Sequence, residues 1–198
     1  SFIDYGCGNG VNIDYLNKKY NVNKKLLGID INPYLIKFAK KNFSKKNINF
    51  VKQDIHKFNY KLKSKYEVAI CLQVLPYIDE YKKFMKNVTK LEPDYFAFSC
   101  LIWEGLIDFN IKINFLKNKD QNKIKYFKNY NIYSIKNMIN YLKKLGYKNI
   151  KTKKFEIDKP LVRNDKKNIG TYTIKNKKKY LQMSGPINMN WYFIFCKK

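Results

Sequence analysis

Short apolar runs alternate with stretches of helical periodicity along the first half of the chain. The runs predict buried strands from Phe2 onward and at 24–30, 48–51, 68–72 and 95–100. Between them, apolar residues at helical spacing predict helices from Pro33 to about Asn42 and from Asp79 to Leu91. This alternation is typical of parallel strands joined by crossover helices, and it therefore favours an open α/β sheet.

The pattern is looser after Cys100. Residues 101–131 have no clean period, which favours an insertion of loop and helix over the edge of the sheet. Helical spacing returns between Ser134, a good capping residue, and Gly146, and it predicts a further helix. Strands follow at 150–157 and, after a polar segment at 158–190, at 191–196. We therefore expect a single domain over residues 1–198, with substrate-side insertions at about 101–131 and 158–190.

Length and cysteine content are compatible with an intracellular globular domain. A chain of 198 residues can bury a core without disulfides, and it contains no apolar run long enough to span a bilayer. The four cysteines are widely spaced and form no Cys-x-x-Cys pair, and His56 is the sole histidine, so no metal site is predicted. Buried thiols in a reducing cytoplasm fit this pattern best.

The net charge of +26 is the most unusual feature of the composition. It favours anionic partners such as nucleic acid, but only Arg163 among the 41 basic residues is an arginine. The planar guanidinium that suits phosphate and base-edge recognition is thus almost missing. Two interpretations stay open: a solvated lysine-rich surface, and a field that attracts anionic ligands.

A glycine-rich segment, Asp4-Tyr5-Gly6-Cys7-Gly8-Asn9-Gly10, joins the first strand to a predicted helix. Glycine lets the backbone take positive φ and lets a ligand lie against its N–H groups. A dinucleotide fingerprint would require a third glycine at position 11, which is Val11. The segment therefore indicates either a different nucleotide-type ligand or a plain turn.

An acid follows each of the first three strands, namely Asp4, Asp30 and Asp54. Acids are scarce in this chain, 15 in all, so their repetition at strand ends favours a shared site. Open parallel sheets bind ligands beyond the carboxyl ends of their strands, which is where these residues fall. Each alone can be structural, since Asp30 can cap the turn before Asn32 and Asp54 can belong to a turn.

Together, the Asp-x-Gly-x-Gly-x-Gly segment and the spaced acids resemble the class I S-adenosylmethionine-dependent methyltransferases. The resemblance implies an open, mostly parallel seven-stranded α/β sheet with helices on both faces and an antiparallel last strand. It also implies a cytoplasmic enzyme that binds S-adenosylmethionine and releases S-adenosylhomocysteine. Helices that cap the cofactor often precede the first strand in this family, so a capping segment before Ser1 is expected to be missing here.

The resemblance assigns roles residue by residue. Gly6, Cys7 and Gly8, after Asp4, approach the methionine part of the cofactor. Asp30 accepts hydrogen bonds from the ribose hydroxyls, a geometry that two carboxylate oxygens can meet. The remaining positions are Ile31 against the adenine ring, Asp54 and Ile55 at its edge, and Leu72 and Gln73 beside the sulfonium.

The methyl acceptor is less well indicated. Many small-molecule members of the family carry a histidine after the fourth strand, where this chain has Pro76 and Tyr77. The weak candidates for a catalytic group are Tyr77, Glu104 and His56, and Trp103 and Tyr172 are further aromatic candidates for the acceptor pocket.

Base-amino methyltransferases carry an Asn/Asp-Pro-Pro-Tyr/Phe run that this chain lacks. Together with the charge, this favours a small, polar, anionic metabolite of the phosphorylated or nucleotide-linked sugar type as the acceptor. An RNA methyltransferase and a non-catalytic, cofactor-binding partner subunit are the alternatives.

Overall fold

The computed structural model of the chain describes residues 1–57, 65–117, 120–163 and 170–198, with the backbone alone at 115–117 and 120–127. Within these ranges the helices are α1 Val11–Tyr20, α2 Pro33–Phe43, α3 Tyr81–Thr89 and α4 Ile135–Lys144, and a 3-10 turn spans Leu75–Tyr77. The strands are β1 Phe2–Tyr5, β2 Leu26–Asp30, β3 Ile48–Lys52, β4 Val68–Cys71, β5 Tyr95–Trp103, β6 Lys112–Lys117, β7 Asp120–Asn129, β8 Tyr133–Ser134, β9 Asn149–Lys154, β10 Glu156–Ile157, β11 Thr171–Asn176, β12 Lys179–Ser184 and β13 Trp191–Lys197.

The main sheet has the strand order β3-β2-β1-β4-β5-β13-β9, with the short β8 added to the end of β5. Neighbours from β3 through β5 are parallel, and β13 is antiparallel to both β5 and β9. The predicted fold class, including the antiparallel last strand, is confirmed. Because β1 lies between β2 and β4, the strand order reverses there, and open α/β sheets bind ligands at such a point.

Successive side chains of a strand point to opposite faces of the sheet. Both faces of this sheet are apolar, and helices cover each of them. Against α1 and α2 lies a core that contains Phe2, Leu26, Ile48, Ile13, Ile36 and Ala39. Against α3 and α4 lies a larger core that contains Ile3, Tyr5, Phe96, Phe98, Phe84, Met138 and Leu142. Each such large apolar side chain contributes about 1.5–3 kcal/mol when it is fully buried.

The predicted helix boundaries have clear local causes. The side chain of Asn32 accepts a hydrogen bond from the Tyr34 N–H at 2.9 Å and so caps α2. The Ser134 hydroxyl accepts one from the Asn137 N–H at 3.2 Å and caps α4 in the same way. Gly146 follows α4 with a φ of +93°, the left-handed conformation that commonly ends a helix.

Two segments differ from the prediction. An antiparallel hairpin of β6 and β7 lies within 101–131, where we expected loop and helix. The strand predicted at 150–157 is divided, because the Phe155 N–H donates to the Trp191 carbonyl while the Phe155 carbonyl accepts from the Gln182 N–H. β9 thus stays in the main sheet, whereas β10 pairs with β12.

The segment predicted as polar, 158–190, contains the hairpin of β11 and β12. With β10 this hairpin forms a three-stranded sheet in the order β10-β12-β11. Parts of the two predicted insertions, 118–119 and 164–169, lie outside the described residues. Among the described helices, none is both long and apolar enough to cross a membrane.

Candidate active site

The glycine-rich segment lies at the carboxyl end of β1, and its three glycines have φ values of +77°, +56° and +83°. A Cβ at Gly6 would overlap the side chain of Val74, and one at Gly10 would lie 2.8 Å from the ring of Phe50. These two glycines are therefore required by packing. A Cβ at Gly8 would have no heavy atom of the described residues within 4 Å, so the space beside the Gly8 Cα is open to a ligand.

Asp30, at the end of β2, connects this loop to the start of α2. Its Oδ2 accepts a hydrogen bond from the Gly8 N–H at 2.9 Å, and its Oδ1 accepts one from the Asn32 N–H at 2.8 Å. A carboxylate oxygen can accept two hydrogen bonds, so each oxygen retains capacity for a hydroxyl donor. The sequence expectation that Asp30 could be a turn cap is correct, and the same geometry leaves it able to bind a ligand.

Asp4 lies within β1 on the sheet face covered by α1 and α2, and it is only 1% exposed. Neither carboxylate oxygen has a hydrogen-bond partner among the described residues. Burial, and after it the negative charge of Asp30, raise the pKa of Asp4 from 3.8 to about 7. A buried carboxyl without partners next to a glycine loop is a strong candidate for contact with a cationic ligand group.

The third acid, Asp54, is partly engaged in its own turn. Its Oδ1 accepts a hydrogen bond from the His56 backbone N–H at 2.9 Å, as in an Asx turn. Ile55 is buried, whereas Ile31 after β2 is 64% exposed. Such an exposed aliphatic side chain at the carboxyl edge offers an apolar surface to a flat ligand ring.

The end of β4 contains a feature that the sequence did not indicate. Gln73 has a φ of +59°, a left-handed conformation unusual for a residue other than glycine. Its N–H donates to the hydroxyl of Ser99 at 2.7 Å, and Ser99 is fully buried in β5. Residues held in such conformations often lie at ligand sites. In the sequence, the only sign of this contact is a serine, Ser99, within the apolar run of β5.

The three weak catalytic candidates follow three different strands of the sheet: His56 follows β3, Tyr77 follows β4 and Glu104 follows β5. The ring centroid of Tyr77 is 5.2 Å from that of Tyr130, and burial, followed by contact with Tyr130, raises the pKa of Tyr77. Such a tyrosine stays protonated near neutral pH and is not suited to removing a proton.

Glu104 lies in a different environment. Its side chain is 74% exposed, and its Oε1 accepts a hydrogen bond from the Tyr192 hydroxyl at 2.8 Å. The other aromatic candidate, Tyr172, donates its hydroxyl to the Asn188 side chain at 2.9 Å. Within the described ranges, no three His, Cys, Asp or Glu side chains form a group that could hold a metal ion.

The first half of the chain matches a family model. Residues 1–100, just over half of the 198, match the methyltransferase domain family. The chain belongs to this family, and the resemblance to class I methyltransferases is confirmed. It is an S-adenosylmethionine-dependent methyltransferase, with S-adenosylmethionine as its cofactor.

Solved structures share the fold over the whole chain. A protein from Listeria monocytogenes described as an S-adenosylmethionine-dependent methyltransferase is 15% identical with a TM-score of 0.65, over 100% of this chain and 90% of that one. Magnesium protoporphyrin IX methyltransferase from Synechocystis PCC 6803, with bound S-adenosylmethionine, is 15% identical with a TM-score of 0.54, over 100% and 69%. A methyltransferase from Clostridium acetobutylicum is 16% identical with a TM-score of 0.56, over 99% and 82%. No curated protein sequence matches the chain significantly.

Proposed function

We propose that the cofactor binds over the carboxyl ends of β1, β2 and β4, with Asp30 at the ribose. The observation that supports this most directly is the pair of hydrogen bonds from the Gly8 and Asn32 N–H groups to Asp30, beside the open space at the Gly8 Cα. Asp30 fixes the loop and keeps free lone pairs for the two ribose hydroxyls. The exposed Ile31 lies against the adenine ring, and Asp54 and Ile55 contact its edge.

The buried carboxyl of Asp4 fits the other end of the cofactor. Its oxygens have no partner among the described residues, and an ammonium or sulfonium group nearby would compensate for the buried charge. The backbone of Gly6, Cys7 and Gly8 holds the methionine part, and Leu72 and Gln73 lie beside the sulfonium. The strained turn at Gln73, held by Ser99, keeps that backbone in a fixed place.

Methyl transfer from a sulfonium is an in-line displacement that needs alignment more than acid or base chemistry. Bound S-adenosylmethionine supplies the electrophilic methyl group. The residues of the glycine loop, Asp30 and Gln73 orient it, and Tyr77, next to the end of β4, lines the approach of the acceptor. A proton lost by a hydroxyl acceptor passes to solvent.

For the acceptor we propose a small molecule, methylated in the cytoplasm. The narrower expectation of an anionic, phosphorylated or nucleotide-linked sugar rests on the net charge of +26 alone. The test is production of S-adenosylhomocysteine with small-molecule acceptors, including sugar phosphates, and with RNA side by side at low and high salt. Turnover of RNA that falls steeply with salt would instead support the RNA methyltransferase alternative. Turnover with any acceptor by the isolated chain excludes a purely non-catalytic partner.

Replacing Asp30 with alanine is expected to weaken S-adenosylhomocysteine binding by about 1.5–3 kcal/mol, which is about 10- to 150-fold. The substitution removes the ribose contacts and the hydrogen bond that orders Gly8. Isothermal titration calorimetry gives the affinity of both proteins. Glu80→Ala, which removes the same charge from a side chain 66% exposed at the start of α3, is the control and should change the affinity less than about twofold. Equal affinities of Asp30→Ala and wild type would remove Asp30 from the site.

A further inference from the structure

A cavity of about 500 Å³ lies at the carboxyl end of β5, between the main sheet and the three-stranded sheet. We call it the Trp103 pocket. Its volume is in the range of small-molecule sites. Its walls are mainly apolar and are contributed by Ile102, Trp103, Ile174, Leu181, Met183 and Met189.

Trp103 forms one wall of this pocket and is 42% exposed. Its ring and that of Phe109 pack edge to face with centroids 5.8 Å apart, and its Nε1 lies so close to Gly105 that a Cβ there would be 2.5 Å away. The ring is thus held in place while much of it stays accessible. A fixed, accessible indole in a pocket that two methionines also line is a favourable surface for a flat apolar molecule.

The charges at the pocket cancel. Among its lining residues, Glu104 and Lys154 are charged, and they are 3.8 Å apart. The Tyr192 hydroxyl donates to Glu104 at 2.8 Å, and the Lys154 ammonium lies over the Tyr192 ring at 5.9 Å. The positive charge of the protein as a whole is therefore not concentrated here, and the pocket has no preference for an anion.

One lining residue supplies an unused hydrogen-bond acceptor. The amide nitrogen of Asn190 donates to the Gln182 carbonyl at 2.9 Å, whereas its Oδ1 is buried and has no partner among the described residues. Buried polar atoms are generally satisfied in folded proteins, so a donor on a bound molecule would fit this position. A hydroxyl or N–H group meets that requirement.

We propose that the Trp103 pocket binds the methyl acceptor, a neutral molecule with a flat, apolar, aromatic body and a hydroxyl or N–H group that donates to Asn190. This rests on the proposed function and replaces the sugar phosphates that net charge alone favours. Ser99, which holds Gln73, and Trp103 are separated along β5 by about 13 Å, at about 3.3 Å per residue. An acceptor that fills the pocket and reaches the methyl group is therefore elongated, with two or more linked or fused rings.

The test uses protein saturated with S-adenosylhomocysteine and two sets of probes. Quercetin and 7-hydroxycoumarin represent flat aromatic hydroxyl compounds, and glucose 6-phosphate and UDP-glucose represent anionic sugars. Calorimetry is expected to detect binding of the aromatic set and not of the sugars. Trp103→Ala should weaken aromatic binding by about tenfold or more. Phe195→Ala, which removes an aromatic ring of similar exposure, 46%, from outside the pocket, should change it less than about twofold.

A second pair of variants tests the part of the pocket that β11 contributes. Ile174→Glu places a charge in the pocket and should weaken aromatic binding, whereas Lys175→Glu changes a residue that points to the other face of β11 and should not. The proposal would be overturned if the sugars bound and Trp103→Ala left their affinity unchanged. It would also be overturned if either aromatic probe failed to bind. Binding of S-adenosylhomocysteine itself is measured first, and its absence in the wild type would contradict the proposed function instead.

Discussion

Gly8→Ala is expected to weaken S-adenosylhomocysteine binding by about 100-fold or more, because the added methyl group would occupy the surface on which the methionine part lies. No heavy atom of the described residues lies within 4 Å of that methyl group, so the fold itself can accommodate it. The residue has a φ of +56°, and the left-handed conformation should lower the free energy of unfolding by only about 1–2 kcal/mol. Calorimetry gives the affinity, and denaturant unfolding gives the stability.

Gly146→Ala is the matched control for this prediction. Gly146 also has a positive φ, +93°, and a Cβ there also has no heavy atom of the described residues within 4 Å, but it lies beyond α4. Both variants should lose similar stability, and only Gly8→Ala should lose binding. Gly6→Ala differs from both, since its Cβ would overlap Val74 and should destabilise the fold. If Gly8→Ala and Gly146→Ala bound the cofactor equally, the loop would be a plain turn.

Much of this architecture could be predicted because its signals are local. The hydrophobic runs of β1 to β5 and the caps at Asn32 and Ser134 depend on neighbouring residues, and the structure has them where the pattern indicates. The glycine spacing likewise excludes a dinucleotide fingerprint, because that motif is defined within a few consecutive residues. Such features follow from residue type and spacing alone.

The details of the site are set by contacts between residues far apart in the chain, and these have no local signal. Ser99 holds the backbone of Gln73 across two strands, and Val74 is the reason that Gly6 has no side chain. The burial of Asp4 depends on both helices of its face. The sequence indicates which residues lie at this edge of the sheet, but not which of them form hydrogen bonds or packing contacts with one another.

The Trp103 pocket has no signal in the sequence for a related reason. The segment that contains β11 and β12 is rich in lysine and asparagine, so it has little apolar alternation. Its strands form because they pair with each other and with β10, and Phe155 links this sheet to the main one. The sequence indicates Trp103 as an aromatic candidate because it follows the predicted fifth strand. The structure places it in a pocket that neither the hydrophobic pattern nor the composition of the chain indicates.

Asp4→Asn is expected to remove a pH dependence of cofactor binding that the wild type shows. In the cofactor-free protein the pKa of Asp4 is about 7, because burial first and then the charge of Asp30 disfavour the carboxylate. A cationic cofactor group nearby favours the ionised form, so below pH 7 a proton must leave on binding. The affinity for S-adenosylhomocysteine should therefore rise by up to about tenfold per pH unit up to about pH 7 and then level off. Calorimetry from about pH 5.5 to about pH 8 should show this rise in the wild type and a weaker, flat profile in Asp4→Asn.

Asp4→Asn should also change the pH dependence of stability: relative to wild type, the variant should become more stable as the pH rises. Since the pKa of Asp4 is higher in the folded protein than the ordinary value of 3.8, its protonated form stabilises the fold below about pH 4, and this contribution is lost as the pH rises through about 7. The amide of Asp4→Asn does not titrate, so the free energy of unfolding of the variant relative to wild type should increase by up to about 4 kcal/mol between about pH 4 and about pH 8. Contributions from carboxylates that do not interact with Asp4 cancel in this difference, and so does any constant cost of burying the amide. Denaturant unfolding at several pH values measures it, and a difference independent of pH would mean that Asp4 is ionised throughout this range. If the expected increase is observed, the buried acid weakens the cofactor-free fold at neutral pH and favours cofactor binding, which is a trade-off expected at a functional site.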